Sequence, residues 1–204
     1  MNALDIAVIH DTKNCLSNLL FRLEKHGHLE KEIEILLRTS SRLTNLLLWH
    51  KQQEGGMHIH IDSASPLDLM SELVGEFSYT FPHIKIKLDT RKAPVFWFYD
   101  DNYIRLALTN ALDNACNFAK NEVAITVLVS ENMLEFSIED DGDGYSEYLL
   151  EAFENQNEIE TSQRGTGLGL MLARVIAEMH HNKGHSGQVK LKNKPGAIFE
   201  MRLP

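Results

Sequence analysis

Two glycine clusters, with the acidic residues beside them, are the parts of this sequence best suited to chemistry. Residues 140–144 read DDGDG, and residues 165–170 read GTGLGL. A glycine-rich turn that leads into a helix suits phosphate, because free backbone N–H groups and the helix dipole attract an anion and no Cβ blocks its approach. The carboxylate of Asp140, at the end of a strand, could accept a hydrogen bond from an exocyclic amine such as that of adenine. Either cluster alone is also typical of an ordinary turn.

A second candidate is the pentad at residues 10–14, which reads HDTKN. His10 and Asn14 are four residues apart, so a helix presents them on one face. Asp11 lies about 100° round that helix, where its carboxylate could reach the imidazole. An imidazole held at Nδ1 by a carboxylate exposes a nucleophilic Nε2, which is the arrangement needed to attack a phosphoryl group. A single histidine in a polar helical patch is more often an ordinary surface residue, so the pentad alone leaves both interpretations open.

Asparagines recur in a helix predicted over 101–119, at Asn110, Asn114 and Asn117. Asparagine is a poor residue for a helix interior, so this recurrence needs a reason. Side-chain oxygens of Asn110 and Asn114 on one face could hold a hard cation such as Mg²⁺ together with nucleotide phosphates. Exposed polar positions without a ligand are the alternative.

The composition excludes several classes of protein. The 204 residues are 43% hydrophobic and 24% charged, which is ordinary for a soluble globular protein. A net charge of -9 argues against a nucleic-acid partner, which needs a basic face. No apolar run approaches the roughly 18 residues of a membrane span, and the first residues lack the pattern of a signal peptide. Cys15 and Cys116 form no C-x-x-C, so we expect a cytoplasmic protein without a disulfide framework or zinc site.

Residues 1–56 are predicted to form a helical hairpin. The first helix carries an apolar stripe and breaks near Gly27, and the second ends at Gly55 and Gly56. Two helices alone cannot bury two apolar stripes, whereas a second copy would complete a four-helix bundle. The pattern therefore predicts a homodimer.

Residues 57–204 are predicted to form an α/β sandwich. The predicted helices cover 66–77, 101–119 and 168–179. The predicted strands cover 58–61, 84–88, 95–98, 123–129, 134–138, 189–191 and 198–203. Strands 123–129 and 134–138 are predicted to form a hairpin around Glu131 and Asn132, and the last two strands a closing pair with Pro195 and Gly196 in their turn. No ligand pattern joins the histidines of this region, so they are interpreted as surface residues: His58, His60, His180, His181 and His185.

Taken in order, these residues resemble the transmitter core of two-component sensor histidine kinases, in the GHKL ATPase superfamily. The pentad at 10–14 resembles the H box, residues 110–115 the N box, 140–144 the G1 box and 165–170 the G2 box. Phe153, between the glycine clusters, is similar to the family's F box. The resemblance covers nearly the whole chain, and four boxes in order are far more specific than any one of them.

The resemblance implies an ATP-dependent protein-histidine kinase with two domains. Residues 1–56 would be the dimerisation and phosphoacceptor domain, and residues 57–204 the catalytic ATP-binding domain, a mixed sheet packed on helices. His10 would accept the γ-phosphoryl group, with Asp11 as its orienting base. The phosphoryl group would pass to an aspartate of a response regulator, and Asn14 would position the water that dephosphorylates that partner.

The resemblance also implies the nucleotide site. Asn114 would coordinate Mg²⁺, Asn110 would support the phosphates, and Asp140 would bind the adenine amine. The remaining implied contacts are Gly142 and Gly144 beside the base, and Gly165, Thr166, Gly167, Leu168 and Gly169 over the phosphates, beneath a mobile lid.

Three features depart from the family's pattern. Asn117 stands where the family often has lysine, so Lys120 or Arg164 would have to supply that cation. Only nine residues precede His10, and no sensor segment is present. We therefore expect either a piece of a longer protein or a kinase whose signal comes from a separate sensor protein. The alternatives are a non-catalytic phosphotransfer adaptor with a degenerate ATP domain, and a GHKL serine kinase or plain ATPase.

Overall fold

The computed structural model describes residues 12, 14, 16, 30–155 and 167–204. The chain divides near His58 into two compact units, one that contains the N-terminal helical region and one that begins at Ile59. Residues 12, 14 and 16 are helical. The rest of the first predicted helix and the break near Gly27 lie outside the described residues, so the hairpin is covered only in part.

Helix α1, Glu30–Gln53, is the long element of the first unit. Beyond it, Gly55 has φ +68° and its N–H donates to the carbonyl of Gln52 at 2.9 Å. The N–H of Gly56 donates to the carbonyl of Lys51 at 2.9 Å. This pair of bonds is a Schellman motif, which favours glycine because the residue after the last turn is left-handed. The prediction that these two glycines end the helix is confirmed.

A five-stranded mixed sheet forms the centre of the second unit. Its strands are β2 Lys85–Lys92, β4 Glu122–Ser130, β5 Met133–Asp140, β8 Gln188–Lys194 and β9 Gly196–Leu203. Their order is β2-β4-β5-β9-β8, with β2 parallel to β4 and the other neighbours antiparallel. Two short antiparallel pairs accompany it: β1 Asp62–Ala64 with β3 Trp97–Tyr99, and β6 His181–Asn182 with β7 His185–Ser186.

Four further helices follow in the described part of the chain: α2 Pro66–Thr80, α3 Asp101–Phe118, α4 Glu147–Glu154 and α5 Leu168–Met179. Local sequence explains where α2 and α3 begin. Ser65 caps α2 by accepting a hydrogen bond from the N–H of Asp68 at 3.2 Å. Asp100 caps α3 in the same way through the N–H of Tyr103, at 3.1 Å.

The core of the second unit lies where the helices cover the sheet. Along β4 and β5 buried positions alternate with half-buried ones, as expected for a sheet with one covered face. Helix α3 contacts β4 and β5. The buried residues of this layer include Val123, Ile125, Val127, Leu134, Phe136, Ile138, Ile104, Leu108 and Leu112. The predicted mixed sheet packed on helices is confirmed.

Two predicted strands are misplaced. The strand predicted over 58–61 is wrong, because the pairing begins at Asp62, opposite Tyr99. The N–H of His60 instead donates to Asp100 Oδ2 at 2.7 Å, so a helix cap takes the bond that a strand neighbour would have made. The strand predicted from Val95 begins only at Trp97, and Val95 is 86% exposed. The apolar residues at 95–98 therefore correctly predicted a strand in this segment, but not the residue at which it begins.

The surface interpretation of His180 is also wrong, since this side chain is only 1% exposed. Its Nδ1 lies 2.7 Å from the carbonyl of Ile176, and its Nε2 accepts a hydrogen bond from the N–H of Asp100 at 3.0 Å. These two bonds define a neutral ring that carries its proton on Nδ1. His180 thus connects the end of α5 to the cap of α3. His58, His60, His181 and His185 are exposed, as predicted.

Candidate nucleotide-binding site

Asp140, the last residue of β5, is a buried carboxylate with a fixed orientation. Its Oδ1 accepts hydrogen bonds from the N–H of Gly142 at 2.8 Å and from the N–H of Ala197 at 3.2 Å. Within the described residues no hydrogen bond reaches Oδ2. Burial raises the pKa of this carboxyl, against the opposing effect of the two backbone donors. One oxygen therefore orients the group, and the other can accept a bond from a ligand.

Asp141, the next residue, has a different task. Its carboxylate accepts hydrogen bonds from the N–H groups of Lys120 at 2.7 Å, Asn121 at 3.0 Å and Glu122 at 3.2 Å. The hydrogen bonds, led by that from Asn121, lower its pKa to about 2. Asp141 thus holds the connection between α3 and β4, and it was not predicted to have a structural role.

Gly142 is glycine because of packing. A Cβ at this position would lie 2.3 Å from the carbonyl oxygen of Phe118 and 2.8 Å from Asp140 Oδ1. No side chain fits there without moving the backbone at the end of α3. The first glycine cluster is therefore packed directly against the helix that carries the asparagines.

Gly144 has φ +82°, and a Cβ there would lie 2.8 Å from the amide carbon of Asn193. Both its backbone conformation and its neighbour thus require glycine. Between the two glycines, Asp143 is exposed and its Oδ1 lies 2.6 Å from Lys120 Nζ. The pair raises the pKa of Lys120, and Lys120 therefore borders the first glycine cluster.

The asparagines of α3 differ in their surroundings. Asn110 is buried, and a Cβ on Gly169 would lie 3.3 Å from its Cβ and Cγ. The structure thus brings the N-box asparagine against the first turn of α5. Asn114 is half-buried on the same helix. Asn117 donates from Nδ2 to the carbonyl of Asp113 at 2.6 Å, which ties its amide to its own helix.

Other predicted site residues lie at the limits of the described chain. Gly167 has φ +66°, and Leu168 begins α5. Asn14 is helical and exposed. His10, Asp11, Gly165 and Thr166 lie outside the described residues, as does Arg164.

Phe153, similar to the F box, is a packing residue in α4. It is 4% exposed, and the guanidinium carbon of Arg174 lies 3.6 Å from its ring centroid. Arg174 also donates to the carbonyl of Phe153, and burial lowers the pKa of this guanidinium. Arg174 thereby links α5 to α4 through a cation–π contact and a hydrogen bond.

Three residues near the site were missed by the sequence analysis: Asn193, Gly196 and Ala197. A Cβ on Gly196 would lie 1.9 Å from the carbonyl oxygen of Asp140, so only glycine allows β9 to begin there. The Pro195-Gly196 sequence predicted the turn of this hairpin. It did not predict the contact of Gly196 with Asp140, 56 positions earlier in the chain. Ala197 acts through its backbone, which leaves no signal in the sequence.

Two features are absent from the described residues. No helix among them is long and apolar enough to cross a membrane. No group of three or more His, Cys, Asp or Glu side chains among them could hold a metal ion.

Residues 99–204 match the family model for the histidine kinase-, DNA gyrase B- and HSP90-like ATPases. The chain belongs to this family. Sensor protein KdpD of Clostridium acetobutylicum is 33% identical over 171 residues, which cover 79% of this chain and 18% of KdpD. The chain thus spans less than a fifth of that relative. Together, the family and its relatives identify the chain as a transmitter core of the two-component histidine kinase type.

Solved structures show the same fold. Acinetobacter baumannii histidine kinase AdeS superposes with a TM-score of 0.66 at 16% identity, covering 93% of each chain. Full-length ShkA, solved in complex with AMPPNP, superposes with a TM-score of 0.70 at 19% identity, covering 100% of this chain and 46% of ShkA.

Proposed function

We propose that this chain is an ATP-dependent protein-histidine kinase that phosphorylates its own His10 and passes the phosphoryl group to an aspartate of a response regulator. The observation that carries the proposal is the Asp140 carboxylate, buried at the end of β5 and oriented by two backbone N–H groups through one oxygen. In a unit of this family, a fixed acceptor of this kind suits an amine of adenine.

The phosphate end of the site is proposed at Asn110, Asn114 and the start of α5. Asn110 lies against Gly169, where the first turn of a helix offers backbone N–H groups to an anion. An amide oxygen from Asn114 is a hard ligand and fits Mg²⁺, which usually takes few protein ligands beside phosphate oxygens and water. When bound, Mg²⁺ would neutralise charge on the transferring phosphoryl group. Gly165, Thr166, Gly167 and Leu168 are proposed to complete the phosphate contacts.

The transfer itself is proposed to be a displacement by His10. Its Nε2 forms a bond to the γ-phosphorus while the bond to the bridging oxygen breaks and ADP leaves. Asp11 orients the ring at Nδ1 and accepts the proton that the charged imidazole would otherwise keep. The ring is then neutral again as a phosphohistidine.

The proposed organisation follows from these roles. Residues 1–56 form the dimerisation and phosphoacceptor domain of a homodimer, and residues 57–204 form the ATP-binding domain. A response regulator receiver domain is the proposed partner, with Asn14 positioning the water in a phosphatase reaction on it. A separate sensor protein could supply the signal, and a cytoplasmic location belongs to the proposal because ATP and receiver domains are found there.

The second candidate function is a non-catalytic histidine phosphotransfer adaptor. It is favoured by Asn117, which stands at the family's lysine position and donates its amide to Asp113 within its own helix. Against it stand the buried, oriented Asp140 and the glycines that pack around it, since a site without a ligand has no need of this arrangement.

Calorimetric titration of the whole chain with ADP at millimolar Mg²⁺ separates the two functions. We expect micromolar binding by the wild type. For Asp140→Asn we expect binding at least about tenfold weaker, because an amide NH₂ or a neutral oxygen replaces a charged acceptor. Glu139→Gln, the same kind of change one residue earlier on β5, is the control and should bind like the wild type. An absence of binding by the wild type would leave the adaptor as the function.

A further inference from the structure

The tip of the β8–β9 hairpin contacts the first glycine cluster at two separate points. Asn193 and Ala197 are partners across this hairpin. The N–H of Ala197 donates to Asp140 Oδ1 at 3.2 Å, at the start of the cluster. The side-chain amide of Asn193 binds Tyr145, directly after the cluster ends. Because one cross-strand pair provides both contacts, the hairpin fixes the two ends of segment 140–145 relative to each other.

The amide of Asn193 binds both backbone groups of Tyr145. The N–H of Tyr145 donates to Asn193 Oδ1 at 2.8 Å, and Asn193 Nδ2 donates to the carbonyl of Tyr145 at 2.9 Å. A primary amide offers the same donor and acceptor as a peptide group. Tyr145 does not belong to a strand, and the Asn193 amide makes the two backbone hydrogen bonds that a neighbouring strand would otherwise provide.

Gly144 shows that the same amide also shapes the cluster itself. Its φ is +82°, and a Cβ at this position would lie 2.8 Å from Asn193 Cγ and Oδ1. The amide of Asn193 thus occupies the space that a side chain on residue 144 would need. Asn193 contacts two consecutive residues, and a displaced amide would release both.

Tyr145 connects this contact to the adenine end of the site. Its side chain is half-buried. Burial, and after it the charge of Asp140, raises the pKa of the Tyr145 hydroxyl. The side chain that Asn193 positions therefore lies within the electrostatic reach of the carboxylate proposed to bind the base.

We propose that Asn193 is a positioning residue of the nucleotide site, whose amide holds Gly144 and Tyr145 in the geometry in which Asp140 receives the base. The inference rests on the proposed nucleotide-binding function and adds a residue on β8 to it. A segment that is already ordered does not have to be ordered by the ligand, and this raises affinity. Loss of the amide should therefore weaken nucleotide binding and leave phosphoryl transfer at saturating ATP nearly unchanged.

The test compares Asn193→Ala with Asn182→Ala in the full chain. Asn182 is an exposed asparagine in β6, outside the hairpin tip, and provides the same substitution as a control. We expect the Kd for ADP with Mg²⁺ to rise about tenfold in Asn193→Ala, as for the loss of one or two hydrogen bonds, and to stay within about twofold in Asn182→Ala. The KM for ATP in His10 phosphorylation should rise by the same factor as the Kd, with an unchanged kcat.

Hydrogen exchange of the ligand-free protein reports the contact without any nucleotide. The amide of Tyr145 should exchange faster in Asn193→Ala, while the amides of β5 keep their protection and show that the variant is folded. Equal ADP affinity in Asn193→Ala and wild type, or equal exchange at Tyr145, would overturn the inference alone. If the wild type binds no ADP, the proposed function is wrong and the inference falls with it.

A double variant distinguishes a shared contact from two independent losses. Gly144→Ala should weaken ADP binding by itself, because its new Cβ displaces the Asn193 amide and because alanine is strained at φ +82°. In the Asn193→Ala background the same change should cost less, because that amide is already gone. Losses that simply multiply would contradict the proposed contact.

Discussion

The adjacent carboxyl groups of Asp140 and Asp141 have pKa values shifted in opposite directions. Burial raises the pKa of the Asp140 carboxyl, whereas hydrogen bonds led by that from Asn121 lower the pKa of Asp141 to about 2. The contribution of Asp141 to stability is therefore present above about pH 4 and is lost as the pH falls towards its folded-state pKa. The sequence indicated a ligand for Asp140, but it could not assign Asp141, because the direction of each side chain depends on the loop from Lys120 to Glu122.

His180 should make the stability of the protein depend on pH. Burial lowers its pKa, so below about pH 6.5 the unfolded chain binds a proton that the folded chain does not. Stability from this residue is complete above that pH and falls until the folded-state pKa is reached. His180→Gln should be less stable than the wild type at pH 7.5, by about 1–3 kcal/mol for lost buried hydrogen bonds. It should also lose less stability than the wild type between pH 7.5 and 5.5.

Urea unfolding at both pH values measures this difference. The side chain faces Asp100 and His181, which remain in the variant. His185→Gln, a change at an exposed position, should keep the wild-type pH dependence and serves as the control. An equal loss of stability in His180→Gln and wild type on acidification would contradict a buried neutral His180.

The start of β9 depends on one glycine, Gly196. A Cβ on Gly196 would lie 1.9 Å from the carbonyl oxygen of Asp140, so Gly196→Ala must displace a strand end. We expect a loss of about 1–3 kcal/mol in the free energy of unfolding, as for other overpacked sites. Binding of ADP should weaken as well, because the N–H of the next residue, Ala197, orients Asp140.

Gly75→Ala is the matched control for this prediction. Gly75 lies inside α2, and a Cβ there would meet nothing within 4 Å. The same substitution should therefore stabilise the protein, by about 0.5–1 kcal/mol from helix propensity. Thermal unfolding of both variants provides the comparison. A Gly196→Ala variant that is as stable as Gly75→Ala would mean that β9 does not approach Asp140 so closely.

Elements whose apolar residues recur with a regular period could be predicted from the sequence. Contacts between residues far apart in the sequence could not. Helix α5 has the predicted bounds, 168–179, because its apolar residues recur at helical spacing. The hairpin at Glu131 and Asn132 was also predicted, and both residues have positive φ, 52° and 59°, as a two-residue type I′ turn requires. The contact of Asn193 with Tyr145, 48 positions apart, has no such local signal. It depends on how two hairpin strands meet a turn, which only the folded chain shows.

The whole molecule consists of an N-terminal helical unit and a second unit that contains most of the ATPase-family match. The family match and the geometry around Asp140 belong to the second unit. The proposed phosphoacceptor His10 belongs to the first unit, so the proposed histidine kinase reaction would use both units. A plain ATPase or serine kinase would give the pentad at 10–14 no task.

Incubation of the whole chain with γ-labelled ATP and Mg²⁺ tests directly whether His10 is the phosphoacceptor. We predict label on the protein that is lost in acid and kept in base, as for phosphohistidine. The label should be absent in His10→Gln and present in His185→Gln, an exposed histidine changed in the same way. Label that survives acid, or persists in His10→Gln, would contradict the proposed histidine kinase.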